Sequence, residues 1–78
     1  MSDVIAYVLV KATTGEADRL KREIEACPGV AHAYIIAGDV DLIARAEVES
    51  TGAVKDLVAD CIQSIDGVGD TTTYIAMV

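Results

Sequence analysis

The sequence has no Trp and no Phe, one Pro and one His, and only six Lys and Arg against thirteen Asp and Glu. Each shortage excludes something. A net charge of −7 removes the basic footprint on which nucleic-acid binding rests, and it disfavours an anionic membrane surface. The single His stands at no ligand spacing from the two Cys, which themselves form no C-x-x-C, so the usual zinc sets are missing. No apolar run reaches the length of a membrane span. The start Met1-Ser2-Asp3 is acidic and leads straight into an apolar stretch, unlike a secretory leader, so a cytoplasmic protein is expected. In that compartment Cys27 and Cys61, each at the apolar end of a helical pattern, are expected to be reduced, buried thiols, with a disulfide as the alternative.

What remains is aliphatic. Hydrophobic residues make up 53% of 78 residues, mostly Val, Ile, Ala and Leu. That length allows one domain, residues 1–78. It carries more apolar surface than one small core needs, and a domain of this size gains from oligomerisation. The acidic surface reads either as solubility, including in a salt-rich cytoplasm, or as a field that draws cationic ligands.

The chain repeats itself with a shift of 38. Val4-Ile5-Ala6 falls on Leu42-Ile43-Ala44, Val10 on Val48, Thr13 on Thr51, Asp18 on Asp56, Ile24 on Ile62, and Gly29-Val30 on Gly67-Val68. Each unit reads strand, helix, strand. Residues 4–11 are β-branched and apolar, a strand. Thr13 and Glu16 have capping-box spacing, and Ala17, Leu20, Ile24 and Cys27 recur at helical intervals. Asp18/Arg22, Arg19/Glu23 and Lys21/Glu25 are opposite charges at i,i+4. Pro28-Gly29 ends that helix. Strands over 30–37 and 42–48 follow. Ser50 or Thr51 caps a second helix with the stripe Val54, Leu57, Val58, Cys61, Ile62 and Ile65. Residues 68–78 form the fourth strand.

The order βαββαβ implies an α+β, ferredoxin-like fold: a four-stranded antiparallel sheet with both helices on one face. Parity adds a second expectation. Val4, Ala6, Val8 and Val10 alternate with Ile5, Tyr7 and Leu9, and Val30, Tyr34 and Ile36 with Ala33, Ile35 and Ala37. Both faces are apolar, whereas a sheet covered on one side alternates with polar residues. Arg45 and Glu47 read as a rim. A second copy, sheet against sheet, is the expected cover.

Between the halves stands Gly38-Asp39-Val40-Asp41-Leu42. A plain hairpin is served by Asn-Gly or Asp-Gly; a second carboxylate adds repulsion and suggests a cationic guest. Glycine permits close approach of a ligand to the backbone. A carboxylate can receive an α-ammonium group, and turn N–H groups can hold an α-carboxylate. The plainer reading is a hairpin with solvated acids.

With these residues in view, the whole chain resembles the effector-binding RAM domain of the leucine-responsive regulatory protein (Lrp/AsnC) family. The resemblance is carried by Ala6-Tyr7-Val8-Leu9-Val10, Pro28-Gly29-Val30, Ala33-Tyr34, the central Gly-Asp-x-Asp-Leu and Thr71-Thr72-Thr73-Tyr74-Ile75. It implies a ferredoxin-like homodimer, often assembled into rings of four dimers. It also implies a small effector, an amino acid or similar, bound between subunits near Gly38, Asp39, Val40, Asp41 and Leu42, with Thr71, Thr72 and Thr73 nearby. One departure stands out: the x position, often aromatic in that family, is Val40. Full-length members carry an N-terminal helix-turn-helix. Three residues precede the first strand here, so the resemblance is to stand-alone members, without direct nucleic-acid or membrane contact.

The expected function is therefore regulatory: an effector-binding module without enzymatic activity or cofactor, acting through oligomerisation and on full-length family regulators. The alternatives are a purely structural oligomerisation module and a small dimeric ferredoxin-like enzyme using His32 in a cavity between helices and sheet. The enzyme reading lacks a second catalytic group. Three threonines also suit any strand, and Tyr7, Tyr34 and Tyr74 suit a core or an interface.

Overall fold

The computed structural model describes residues 4–77. Strand β1 spans Val4–Ala12, helix α1 Ala17–Glu25, β2 Val30–Ile35 and β3 Leu42–Val48. Helix α2 covers Thr51–Asp56, then continues as a π-turn over Leu57–Cys61 and a 3₁₀ turn over Ile62–Ser64, and β4 is Val68–Ile75. The strands form one sheet in the order β2-β3-β1-β4 with every neighbour antiparallel. This is the ferredoxin-like arrangement expected from the repeat.

The repeat is visible in the pairing of the central strands. Tyr7 and Arg45, which are equivalent by the 38-residue shift, lie opposite one another, and Val4–Val48 and Val10–Leu42 flank them symmetrically. Both units end their helix with a left-handed glycine, Gly29 at φ +99° and Gly67 at φ +104°. Other residues rarely adopt that conformation. An added Cβ at Gly29 would also come within 2.9 Å of Val48 Cγ1.

One face of the sheet is closed. Ala6, Val8 and Val10 of β1, Ala33 of β2, and Leu42, Ala44 and Ala46 of β3 lie beneath Leu20 and Ile24 of α1 and Val54, Leu57, Val58 and Ile62 of the second helix. The small alanines on the strands leave room for the larger helix side chains.

Local details depart from the sequence reading for identifiable reasons. A bulge between Val30 and His32 sets Val30 opposite Ala46 and His32 opposite Arg45. It thereby turns Val30 toward the helices instead of sharing a face with Tyr34. Arg45 is not on a rim: with Tyr7 and His32 opposite it on the two adjacent strands, it stands in the middle of the sheet. The capping box does not form. Helix α1 begins at Ala17, Glu16 makes no side-chain cap, and the Glu16 N–H donates to Thr14 Oγ1 instead. Ser50 does cap α2, accepting from the Ala53 N–H at 3.1 Å. Of the charge pairs, Arg19–Glu23 and Lys21–Glu25 form.

The cysteines are not free thiols. Cys27 and Cys61 are joined by a disulfide, their Cα atoms 6.0 Å apart. The end of α1 and the π-turn converge over the closed face of the sheet. Nothing local in a 34-residue separation announces that convergence.

Candidate functional site

The central turn is latched to β1 by Asp41. The Ile36 N–H donates to the Asp41 carbonyl at 2.9 Å, and the Asp41 N–H donates to the Val10 carbonyl at 3.0 Å. Asp41 Oδ2 accepts the Ala12 N–H at 2.8 Å. One carboxylate of the pair is therefore structural, because it satisfies a backbone donor where β1 leaves the sheet. Asp39 projects into solvent, Val40 is half-buried, and the Leu42 side chain is completely buried. Gly38 does not have positive φ, and nothing lies within 4 Å of where a Cβ would stand. Its value is open space beside the turn rather than an unusual backbone conformation.

The three threonines divide between the faces as alternation requires. Thr71, Thr72 and Thr73 lie opposite Val10, Leu9 and Val8. Thr72 therefore sits with Leu9 on the open face. Thr71 and Thr73 face the second helix and line a hollow of about 480 Å³ between it and β4. Val54, Val58 and Ile75 supply apolar wall; Thr51, Lys55 and Gln63 supply polar groups. Gln63 Nε2 donates to Thr71 Oγ1 at 2.8 Å across it. In a protein with thirteen acids, no carboxylate among the described residues lines this hollow.

The structure thus separates the two sets of candidate residues expected from the sequence. Leu42, Val10 and Thr71 occupy one row across three strands. Two strand spacings, roughly 10 Å, lie between the turn side and the threonine side. Sequence reasoning missed Thr51, Lys55 and Gln63. The repeat held a signal for one of them. Gln63 occupies the place of Glu25, whose carboxylate instead accepts the Ala33 N–H at 3.2 Å and pairs with Lys21. These two donors hold the Glu25 carboxyl below its usual range, Lys21 contributing most.

The face away from the helices is uncovered and largely apolar. Tyr7, Tyr34 and Tyr74 are exposed on it, with Leu9 and Ile43 between them. A shallow depression of about 270 Å³ is bounded by Tyr7, His32, Tyr34, Ile43 and Arg45. Arg45 Nε lies 3.3 Å from Glu47 Oε2, yet it is buried without an aligned hydrogen-bond acceptor. His32 belongs to this face, its ring 6.1 Å from that of Tyr34. It does not enter a cavity between helices and sheet, which the enzymatic alternative required. Among the described residues no group of three or more His, Cys, Asp or Glu is placed to hold a metal, and no helix is long and apolar enough to cross a membrane.

Comparison with known proteins agrees with this architecture. Residues 5–78 match the model of the Lrp/AsnC ligand binding domain. An uncharacterised HTH-type transcriptional regulator of Pyrococcus abyssi is 31% identical over 74 residues, a match covering 91% of this chain and 49% of the relative. The chain thus spans about half the length of that curated relative. The crystal structure of TTHA0845 from Thermus thermophilus superposes with a TM-score of 0.90 at 29% identity, covering 96% of this chain and 94% of the other. The transcriptional regulator NMB0573 of Neisseria meningitidis, solved in complex with L-Met, shares the fold with a TM-score of 0.85 at 19% identity, over 97% of this chain and 51% of its own. The chain belongs to the Lrp/AsnC ligand-binding domain family.

Proposed function

We propose that this domain binds a free amino acid at a site completed by assembly, and that binding shifts the balance between oligomers. The observation that carries the reading is the acid-free hollow beside β4. Its volume of about 480 Å³ falls within the range of small-ligand sites, and its polar groups suit a zwitterion. Lys55 can receive the α-carboxylate, and the hydroxyls of Thr71 and Thr73 with the Gln63 amide can orient the polar head, while Val54, Val58 and Ile75 meet an apolar side chain. An α-ammonium group needs an acceptor of negative charge, which the hollow lacks. The Gly38–Leu42 turn of a neighbouring subunit can bring Asp39, whose carboxylate is solvent-exposed. That the NMB0573 regulator was solved with L-Met supports an amino acid as the class of effector.

Assembly has its own support. The uncovered face places Tyr7, Tyr34, Tyr74, Leu9 and Ile43 in one apolar patch, of the kind that marks an interaction site. A second copy laid sheet on sheet would cover it. The homodimer, and a ring of four dimers built from it, is the assembly we assign. Co-assembly with a full-length family regulator would carry the effector signal to DNA, since the −7 charge disfavours contact by this chain itself.

Calorimetric titration against all twenty amino acids, with molar mass measured with and without each, tests the reading. Heat from one or a few of them and a change of mass are expected. Silence across the panel at millimolar concentration would overturn it. A purely structural role is favoured by one observation, the use of Asp41 to hold β1. If Asp39→Asn leaves binding and mass unchanged, the turn is structural throughout.

A further inference from the structure

The Cys27–Cys61 disulfide has an unequal setting. Cys27 is 3% exposed, while Cys61 is only half-buried. A second hollow, of about 320 Å³, opens on Cys61 and is bounded by Pro28, Val48, Ala53, Leu57 and the carboxylates of Asp56 and Asp60. Cys27 is not part of its lining. The Cys27 sulfur stands 3.7 Å from the Glu23 carbonyl, an acceptor that only a reduced thiol can use. The π-turn ending at Cys61 serves two hollows at once. Val58 and Ala59 wall the one beside β4, and Leu57, Asp60 and Cys61 wall this one.

We infer that the disulfide is a thiol-exchange site, entered at the Cys61 sulfur through this second hollow, and that its state sets the rigidity of the π-turn shared with the hollow beside β4. The co-reactant is a small dithiol or two monothiols. A thiolate attacks Cys61 Sγ; its bond to that sulfur forms as the Cys27–Cys61 bond breaks. The electron pair leaves on Cys27, which takes a proton from water and then donates to the Glu23 carbonyl. A second thiolate attacks the reagent's sulfur in that mixed disulfide; the electron pair leaves on Cys61, which takes a proton from water, so two thiols are oxidised to one disulfide and both cysteines are restored. Asp56 and Asp60 select among attackers: they repel thiols with an added carboxylate and favour thiols bearing an ammonium group. Reduction then removes the covalent tie between the π-turn and the end of α1. The inference stands apart from the amino-acid reading, since none of its measurements uses an effector.

The test uses the oxidised protein with cysteamine, 2-mercaptoethanol and mercaptoacetate, rates being compared per thiolate at low salt. Cysteamine is expected to exceed mercaptoacetate by about tenfold, a gap that Asp56→Asn with Asp60→Asn, or molar salt, should close. The trapped mixed disulfide should map to Cys61. Hydrogen exchange after reduction should accelerate about tenfold or more over residues 57–64, and much less in β1 and β3. A mixed disulfide on Cys27, rates blind to thiol charge, or reduction no faster than global unfolding would overturn the exchange site. An equal rise in exchange across all elements would overturn its coupling to the π-turn.

Discussion

The two βαβ units share a plan but close differently. In the first, Glu25 at the end of α1 reaches the edge strand β2 and accepts the Ala33 N–H. Ala33 lies buried beneath the helix. In the second, Gln63 occupies the equivalent place and reaches the equivalent residue, Thr71, but through side chains: its amide donates to the threonine hydroxyl. The alanine has become a threonine, the carboxylate an amide, and the regular helix a π-turn followed by a 3₁₀ turn. The same topology therefore yields a sealed edge on one side and an acid-free, hydroxyl-lined hollow on the other. The lesson is that an internal repeat can be diversified one contact at a time: the first unit links helix to strand through a backbone N–H, and the second through two side chains that border a hollow.

The comparison can be broken at several points. The largest effect is expected in the core, where Ile24 and Ile62 are equivalent and both fully buried. Truncation of either to Ala should cost about 2–5 kcal/mol in urea unfolding. Ile62→Ala should fall lower in that range, because the neighbouring π-turn can relax into the void. Equal costs would show that the second helix is as firmly packed as the first. Cleaving the link between the units comes next. Replacing both Cys27 and Cys61 with Ser should cost about 2–4 kcal/mol, the range for closing a loop of this length. No loss of midpoint would show that the bond does not constrain the chain.

Smaller effects follow at the glycines. Gly29→Ala and Gly67→Ala both place a Cβ in the left-handed region, at about 1–2 kcal/mol each. Gly29→Ala should lie at the higher end, since its Cβ would press on Val48, whereas Gly67 faces the ends of the Arg19 and Leu20 side chains. Thermal midpoints in the reverse order would contradict that packing.

The smallest effect is a pH dependence confined to the first unit. The Glu25 carboxyl is held low by Lys21 and then by the Ala33 N–H. Its contribution to stability is therefore present above the ordinary carboxylate range and is lost as pH falls through the lowered value. Glu25→Gln should flatten the acid limb of the stability profile slightly. Gln63→Ala, at the neutral counterpart, should leave that limb's slope unchanged.

Much of this architecture was legible in the amino-acid order because it is periodic. The 38-residue shift located both helices and all four strands, and strand parity disclosed that the sheet is apolar on both sides. What escaped depends on single residues meeting across distance. The bulge that turns Val30 inward is one inserted residue on β2, invisible to parity. Arg45 looked peripheral because it is charged, yet pairing opposite Tyr7 puts it at the centre. The disulfide joins positions 34 residues apart that meet only in the folded chain. The candidate site residues were placed apart by the fold. Thr71 and Thr73 do line a hollow, but Asp41 turned inward to hold β1, Leu42 went to the core, and Lys55 and Gln63 were unmarked. The substitution of Gln63 for Glu25 in the repeat was the available clue.

The most direct test exchanges that pair of residues. Once the amino-acid panel has identified a binder, its affinity is measured for Gln63→Glu and for Glu25→Gln by calorimetry. The account predicts that Gln63→Glu, by competing for Lys55 and repelling the α-carboxylate that Lys55 is to receive, weakens binding at least tenfold, while Glu25→Gln changes it less than twofold. Equal effects of the two substitutions, or undiminished binding by Gln63→Glu, would contradict the claim that the second unit alone carries the ligand hollow.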